Sequence, residues 1–246
     1  MSGCCIMFER AAVSKKRWRA SVKTLLFSGL IYPISQLAPL GRFISLAFGL
    51  NVAKRYDRLF EIIDRYKCRR IMEIGTYDGE HAKQMIETAK KHFPANEVEY
   101  YGFDLFELLD EHKLKEELSK KPPPYHIVKR KLEETGAKIF LFKGDTREVL
   151  PRVVNTLPTM DFIFIDGGHS LKTIESDWRY AQAVMGPNTI AVFDDYWNRS
   201  DAGCKALIDA LDRAKFDVEI LPPKDRFLKE DGFLEINLVK VTRKRS

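Results

Sequence analysis

The chain has 246 residues, of which 45% are hydrophobic and 31% charged, and it carries a formal net charge of +6. That length suits one α/β domain with additions, and the apolar content is enough for a sizeable core. The four cysteines, Cys4, Cys5, Cys68 and Cys204, include no C-x-x-C pair, which argues against a disulfide framework or a thiolate metal site and fits a reducing cytosol.

Basic residues gather near the ends: Lys15, Lys16, Arg17, Arg19 and Lys23, then Arg243, Lys244 and Arg245. Such clusters bind nucleic acid or anionic lipid, or are simply solvated tails. From Thr24 to Gly41 no residue is charged, yet Gly29, Pro33 and Pro39 interrupt the run and Arg42 follows it. Residues 1–54 therefore have three readings. They form a helical cap, an interfacial helix giving peripheral membrane contact through residues 15–50, or a membrane span, which the prolines and Arg42 oppose. Cys4 and Cys5 are candidates for a lipid anchor.

Residues 55–246 read as one α/β domain. Leu59, Ile62, Ile63 and Tyr66 recur at helical spacing, which predicts a helix over 56–66. A strand follows at 70–74, then a glycine turn and a helix from 80 to about 91. The second strand spans 97–104. A charged insert, 105–137, separates it from the third strand at 138–142. Pro122, Pro123 and Pro124 break that insert into two exposed helices. Strands at 161–166 and 189–194 follow, then a helix over 202–213. Strands at 216–221 and 233–241 form an antiparallel pair joined by a loop at 222–231. Alternating strands and helices predict a parallel sheet wrapped on both faces. No internal repeat is visible.

The most informative stretch is Ile71-Met72-Glu73-Ile74-Gly75-Thr76-Tyr77-Asp78-Gly79. A buried strand ends in an acid and a glycine turn that opens a helix. At the carboxyl edge of a parallel sheet, that arrangement makes a nucleotide pocket. The spacing is E-x-G-x-x-x-G, not the G-x-G-x-x-G of dinucleotide-binding folds. It resembles motif I of the class I S-adenosylmethionine-dependent methyltransferases. The resemblance covers about residues 55–243 and implies a Rossmann-like α/β fold. Its sheet would have seven strands, mostly parallel, with helices on both faces and an antiparallel last strand.

Four of the first five predicted strands end in or just before an acid: Glu73, Asp104, Asp166 and Asp194. The third is followed by Lys143-Gly144-Asp145. Ligands of such sheets sit beyond these ends. A carboxylate after the second strand can accept two hydrogen bonds from a ribose diol, which assigns Asp104, beside Leu105, to the ribose. The resemblance assigns Asp145, with Gly144 and Thr146, to the adenine amine. Glu73, Gly75, Thr76, Tyr77, Gly79 and Asp166 would face the rest of the S-adenosylmethionine. Asp104 and Asp145 also have a plain alternative as helix caps.

Asp166-Gly167-Gly168-His169 and Phe193-Asp194-Asp195-Tyr196 carry the remaining chemistry. Asp166, Asp194 and Asp195 converge from adjacent strand ends, and three close carboxylates repel unless a cation joins them. An all-oxygen set suits Mg²⁺. The pattern resembles the metal-dependent O-methyltransferases of the catechol and macrolide-sugar type, although Leu171 stands where those often carry an aromatic residue. Such an enzyme would methylate a hydroxylated small molecule: a sugar, polyketide or phenolic. Asp166 and His169 are the catalytic candidates, His169 as general base. The alternatives are a structural His169, an acid pair that caps the next helix without a metal, and a methyltransferase-fold protein that acts on or binds a lipid. Asp177 and Trp178 read as packing residues. The Asn/Asp-Pro-Pro-Tyr/Phe signature of amino-directed nucleic-acid enzymes is absent after the fourth strand, which argues against a nucleic-acid substrate. The expected location is the cytoplasm, with peripheral membrane association and homo-oligomerisation left open.

Overall fold

The computed structural model describes residues 54–117, 120–199, 201–229 and 232–245. The readings of residues 1–53 as cap, membrane-surface element or lipidated terminus lie outside the described residues.

Helix α1 (Asp57–Tyr66) presents Leu59, Ile62 and Ile63 to the core and ends on Lys67 in a left-handed conformation. Strand β1 (Arg70–Ile74) and helix α2 (Glu80–Ala89) flank the glycine turn. Strand β2 (Glu99–Asp104) leads into the insert, whose helices are α3 (Glu111–Glu116) and α4 (Tyr125–Glu133), with the prolines between them. Next come β3 (Lys138–Lys143), α5 (Thr146–Val153), β4 (Met160–Ile165) and α6 (Leu171–Ala181). The chain closes with β5 (Met185–Trp197), α7 (Lys205–Ala210), β6 (Phe216–Lys229) and β7 (Gly232–Arg243).

The seven strands form one sheet in the order β3-β2-β1-β4-β5-β7-β6. Strands β1 to β5 pair in parallel, and β7 is antiparallel to both β5 and β6. This is the predicted Rossmann-like sheet. Strand order reverses between β1 and β4, which opens a crevice beyond their carboxyl ends.

Both faces of the sheet are buried, so the central strands read as continuous apolar runs. Alternate residues still separate by face. Met72, Phe103, Ile163 and Phe193 pack with Leu150, Ile174 and Trp178 from α5 and α6. Ile71, Tyr100, Phe162 and Val192 pack with Leu59, Met85 and Leu132 from α1, α2 and α4 on the other face. Each such fully buried aliphatic or aromatic side chain contributes roughly 1.5–3 kcal/mol of transfer free energy.

Three boundaries differ from the sequence reading. Most of the expected loop at 222–231 is strand: residues 222–229 belong to β6, and β6 and β7 stay paired up to Lys229 and Gly232, with a register shift between Leu221 and Asp225. Pro222 and Pro223 lack the N–H that a ladder requires, which accounts for the irregularity at that point. Helix α7 is shorter than 202–213, since Gly203 holds a positive φ of 80° before it. Helix α5 is implied in the sequence only by the alternative of Asp145 as a cap and has no bounds there, because Pro151 within it masks the helical pattern. Among the described residues no helix is long and apolar enough to cross a membrane.

Candidate active site

A cavity of about 540 Å³ opens at the β1–β4 switch point. The glycine turn forms one wall, with Gly75, Thr76 and Tyr77 facing the cavity. Gly75 has φ +95°, and a Cβ there would come to 1.9 Å from the carbonyl oxygen of Asp166. Only glycine lets the backbones of β1 and β4 approach so closely. The amide of Asp166 donates to the carbonyl of Ile74 at 2.8 Å, so the two strand ends are tied together. Gly79 does not line the cavity; it precedes α2 in a left-handed conformation.

Glu73 lines the cavity from within β1 and is almost wholly buried. Tyr100 donates its hydroxyl to it. Burial pushes the Glu73 carboxyl well above its ordinary range, and the nearby acids Asp166 and Asp104 add to this.

Asp104 ends β2 at the cavity wall beside Leu105. Its Oδ2 accepts from the amide of Tyr77 at 2.7 Å and its Oδ1 from the amide of Phe106 at 2.7 Å. Tyr77 and Phe106 both hold positive φ, near 50°. Asp104 therefore braces two strained turns and keeps further lone pairs for a ligand. Burial raises its pKa against these hydrogen bonds.

Gly144, Asp145 and Thr146 form the wall after β3. Asp145 caps α5 by accepting from the amide of Arg147 at 3.0 Å. Its carboxylate also binds the Arg147 guanidinium at 3.0 and 2.7 Å and Lys113 at 3.1 Å. The Arg147 hydrogen bond is the main cause that holds the carboxyl well below its usual range. Asp145 thus serves as the cap weighed in the sequence, and an adenine amine would have to share it with two cations.

The floor carries Asp166 and His169. His169 Nε2 lies 2.6 Å from Asp195 Oδ2, and His169 Nδ1 lies 2.5 Å from the carbonyl oxygen of Glu117. Burial alone would lower the pKa of His169, but the hydrogen bond and charge of Asp195 outweigh it and lift the value to about 9. Asp195 itself holds φ +57° and accepts from Trp197 Nε1 at 2.8 Å. Burial pushes Asp166 well above its ordinary range, with the Asp195 charge second.

The expected trio of Asp166, Asp194 and Asp195 is not the one the structure brings together. One ligand atom each from Asp166, His169 and Asp195 lies within 4.8 Å of the others. Asp194 is turned away and 3% exposed. Its carboxylate pairs with Arg55, and its Oδ2 accepts from the Tyr56 hydroxyl at 2.6 Å. Adjacent residues on a strand point to opposite faces, so a neighbouring acid pair divides between two environments. Two carboxylates and an imidazole can hold a divalent cation, but the nitrogen donor suits Mn²⁺ or Zn²⁺ better than Mg²⁺.

The sequence reading missed several residues of the site. Tyr56 and His81 line the cavity with their rings in tilted contact, 4.0 Å between centroids, and Lys113 and Glu117 line it from the insert. Their contacts join distant parts of the chain, so no local pattern marks them.

Residues 72–196 match the family model described as a methyltransferase domain. No curated protein sequence matches the chain. Among solved structures, an O-methyltransferase from Bacillus cereus in complex with S-adenosylhomocysteine is similar at 16% identity and TM-score 0.52. That alignment covers 91% of this chain and 97% of that one. The O-methyltransferase TomG from Streptomyces achromogenes, in complex with S-adenosylmethionine, is 16% identical with TM-score 0.53, covering 90% and 96%. A candidate rRNA methylase from Clostridium thermocellum is 12% identical with TM-score 0.54, covering 79% and 100%. The shared fold thus spans different acceptors and does not itself select one.

Proposed function

Given that the chain belongs to the methyltransferase-domain family and is an S-adenosylmethionine-dependent enzyme, we propose that it methylates an oxygen of a hydroxylated small molecule. The observation that carries this reading is the pair Asp166 and His169 on the cavity floor, with Asp195 bonded to His169 and completing the cluster. An oxygen nucleophile needs its proton removed, and this cluster supplies acceptors at the point where a cofactor methyl would be presented.

Asp104 takes the ribose diol, and Asp145 with Thr146 bounds the adenine. Glu73 and the Gly75–Tyr77 turn receive the methionine part. That placement directs the sulfonium toward Asp166 and His169. The substrate hydroxyl loses its proton to the neutral form of His169 once Nε2 has exchanged Asp195 for the substrate, and the Asp166 and Asp195 carboxylates balance the resulting charge. The oxygen then attacks the methyl carbon in line, and the carbon–sulfur bonding pair leaves on sulfur, giving the neutral thioether. Positioning of the two reactants supplies much of the acceleration. A divalent cation on the Asp166, His169 and Asp195 donors would supply Lewis acidity that lowers the proton affinity of a bound hydroxyl.

The test is transfer of labelled methyl from S-adenosylmethionine to a panel of vicinal diols, catechols and primary amines, with EDTA, Mg²⁺ or Mn²⁺. Label in an ether product, reduced about a hundredfold or more in His169→Ala, supports the reading. Label that enters only amine acceptors contradicts it.

A further inference from the structure

The insert between β2 and β3 reads from sequence as a pair of exposed helices, yet the structure makes it a wall of the cofactor cavity. Leu109, Lys113 and Glu117 face the cavity from α3 and its flanks. At one end Lys113 reaches Asp145 at 3.1 Å. At the other, Glu117 is 6% exposed and inserts its carboxylate into the loop after β4. There it accepts from the amide of Ser170 at 2.9 Å, the Ser170 hydroxyl at 3.0 Å and the Thr173 hydroxyl at 2.6 Å.

Two further features belong to the same contact. A Cβ at Gly168 would lie 2.4 Å from Glu117 Oε2, so the second glycine of Gly167-Gly168 is what gives this carboxylate its seat. The carbonyl oxygen of Glu117 also meets His169 Nδ1 at 2.5 Å. A ring whose Nδ1–H is held by a backbone carbonyl has its Nε2 aimed by that bond. Here Nε2 is aimed at Asp195.

We propose that Glu117 is a positioning residue that latches α3 over the cofactor cavity and, through its carbonyl, sets the His169 ring. The inference rests on the reading that this cavity holds S-adenosylmethionine. A cofactor beneath the cover leaves only when the Glu117 contacts break, and the same break frees the His169 ring. The catalytic cluster is therefore complete only while the cover is seated.

Two measurements on the full chain test this. The first is the stopped-flow release rate of S-adenosylhomocysteine. Glu117→Ala and Gly168→Ala should each accelerate release about tenfold or more, as expected for losing several hydrogen bonds to a charged group. Glu117→Gln keeps the shape and an acceptor oxygen and should recover most of the slow release. Ser170→Ala combined with Thr173→Val removes the two hydroxyl donors from the opposite side, leaves the Ser170 amide, and should accelerate release about threefold or more without altering the insert. The second is the His169 Nδ1 proton in ¹⁵N-histidine spectra, assigned with His169→Gln. It should be protected from exchange in the parent and in Glu117→Gln, and exchange freely in Glu117→Ala. Release within twofold of the parent in all three disruptive variants, or an unchanged Nδ1 proton in Glu117→Ala, overturns the latch. A parent that does not bind S-adenosylhomocysteine refutes the cofactor reading instead, and the histidine spectra then decide the latch alone.

Discussion

The Tyr56 hydroxyl donates to Asp194 Oδ2 at 2.6 Å, across 138 residues of chain. Arg55 pairs with the same carboxylate and also reaches Asp225 at 2.9 Å. This network joins the start of α1 to β5 and β6, and it removes Asp194 from the group that faces the cavity. Truncating one partner of a buried ion pair strands the other charge. Asp194→Ala should therefore cost about 3 kcal/mol in urea unfolding, and Asp195→Ala less. Equal losses would contradict the division of labour between the two acids.

Gly75 is the next vulnerable point. Its Cβ would overlap the Asp166 carbonyl, and its φ of +95° disfavours any other residue. Gly75→Ala should destabilise the fold by about 3 kcal/mol or more and widen the gap between β1 and β4. A variant with the parent's thermal midpoint and cofactor affinity would show that the close approach is not needed.

Asp177 is fully buried on α6 with its carboxylate poorly satisfied, the Thr146 side chain being the group that favours its charged form. Burial is the main cause that raises its pKa to about 7. In the unfolded chain it titrates near 4. The folded state thus binds more protons between these values, and stability falls as pH rises through that window. Asp177→Asn should remove this loss. The variant should match the parent near pH 4 and exceed it at pH 8, by as much as ~4 kcal/mol for a shift of this size. Parallel stability curves from pH 4 to 8 would mean that the carboxyl is fully satisfied in solution.

The His169–Asp195 pair gives a second pH signature. A pKa of about 9 keeps His169 protonated at neutral pH. If Nε2 accepts the substrate proton, the rate in EDTA should rise with pH and level off near 9. The ion pair's contribution to stability has the opposite sense. It is complete below about 6.5 and lost as pH climbs through about 9. A rate that does not change between pH 7 and 9 would take the proton-acceptor role from His169.

Much of this architecture was legible in the chain, for reasons that particular residues make plain. The strands β1 and β4 are short apolar runs bounded by glycine, acid or proline, so their positions and parallel pairing followed from pattern. Glu73, Asp104 and Asp166 were placed at the cavity because strand ends share one rim in any parallel sheet. The rotation of Asp194 away from Asp195 was not legible, since it depends on Arg55 and Tyr56 from the far end of the domain. Glu117 was hidden for a related reason. A glutamate in a charged insert looks solvated until the fold supplies Ser170, Thr173 and the empty Cβ position of Gly168. Asp145 could be read either as a cap or as a ligand, and only the geometry of Arg147 and Lys113 shows how far the capping role already occupies it.

The most direct test of the account is titration calorimetry of S-adenosylmethionine into the parent and into Asp104→Ala. The parent should bind one equivalent. The variant, without the carboxylate that receives the ribose and braces the Tyr77 and Phe106 turns, should show at least a hundredfold weaker binding, about 3 kcal/mol. Binding by Asp104→Ala with the parent's affinity would contradict the placement of the cofactor in this cavity.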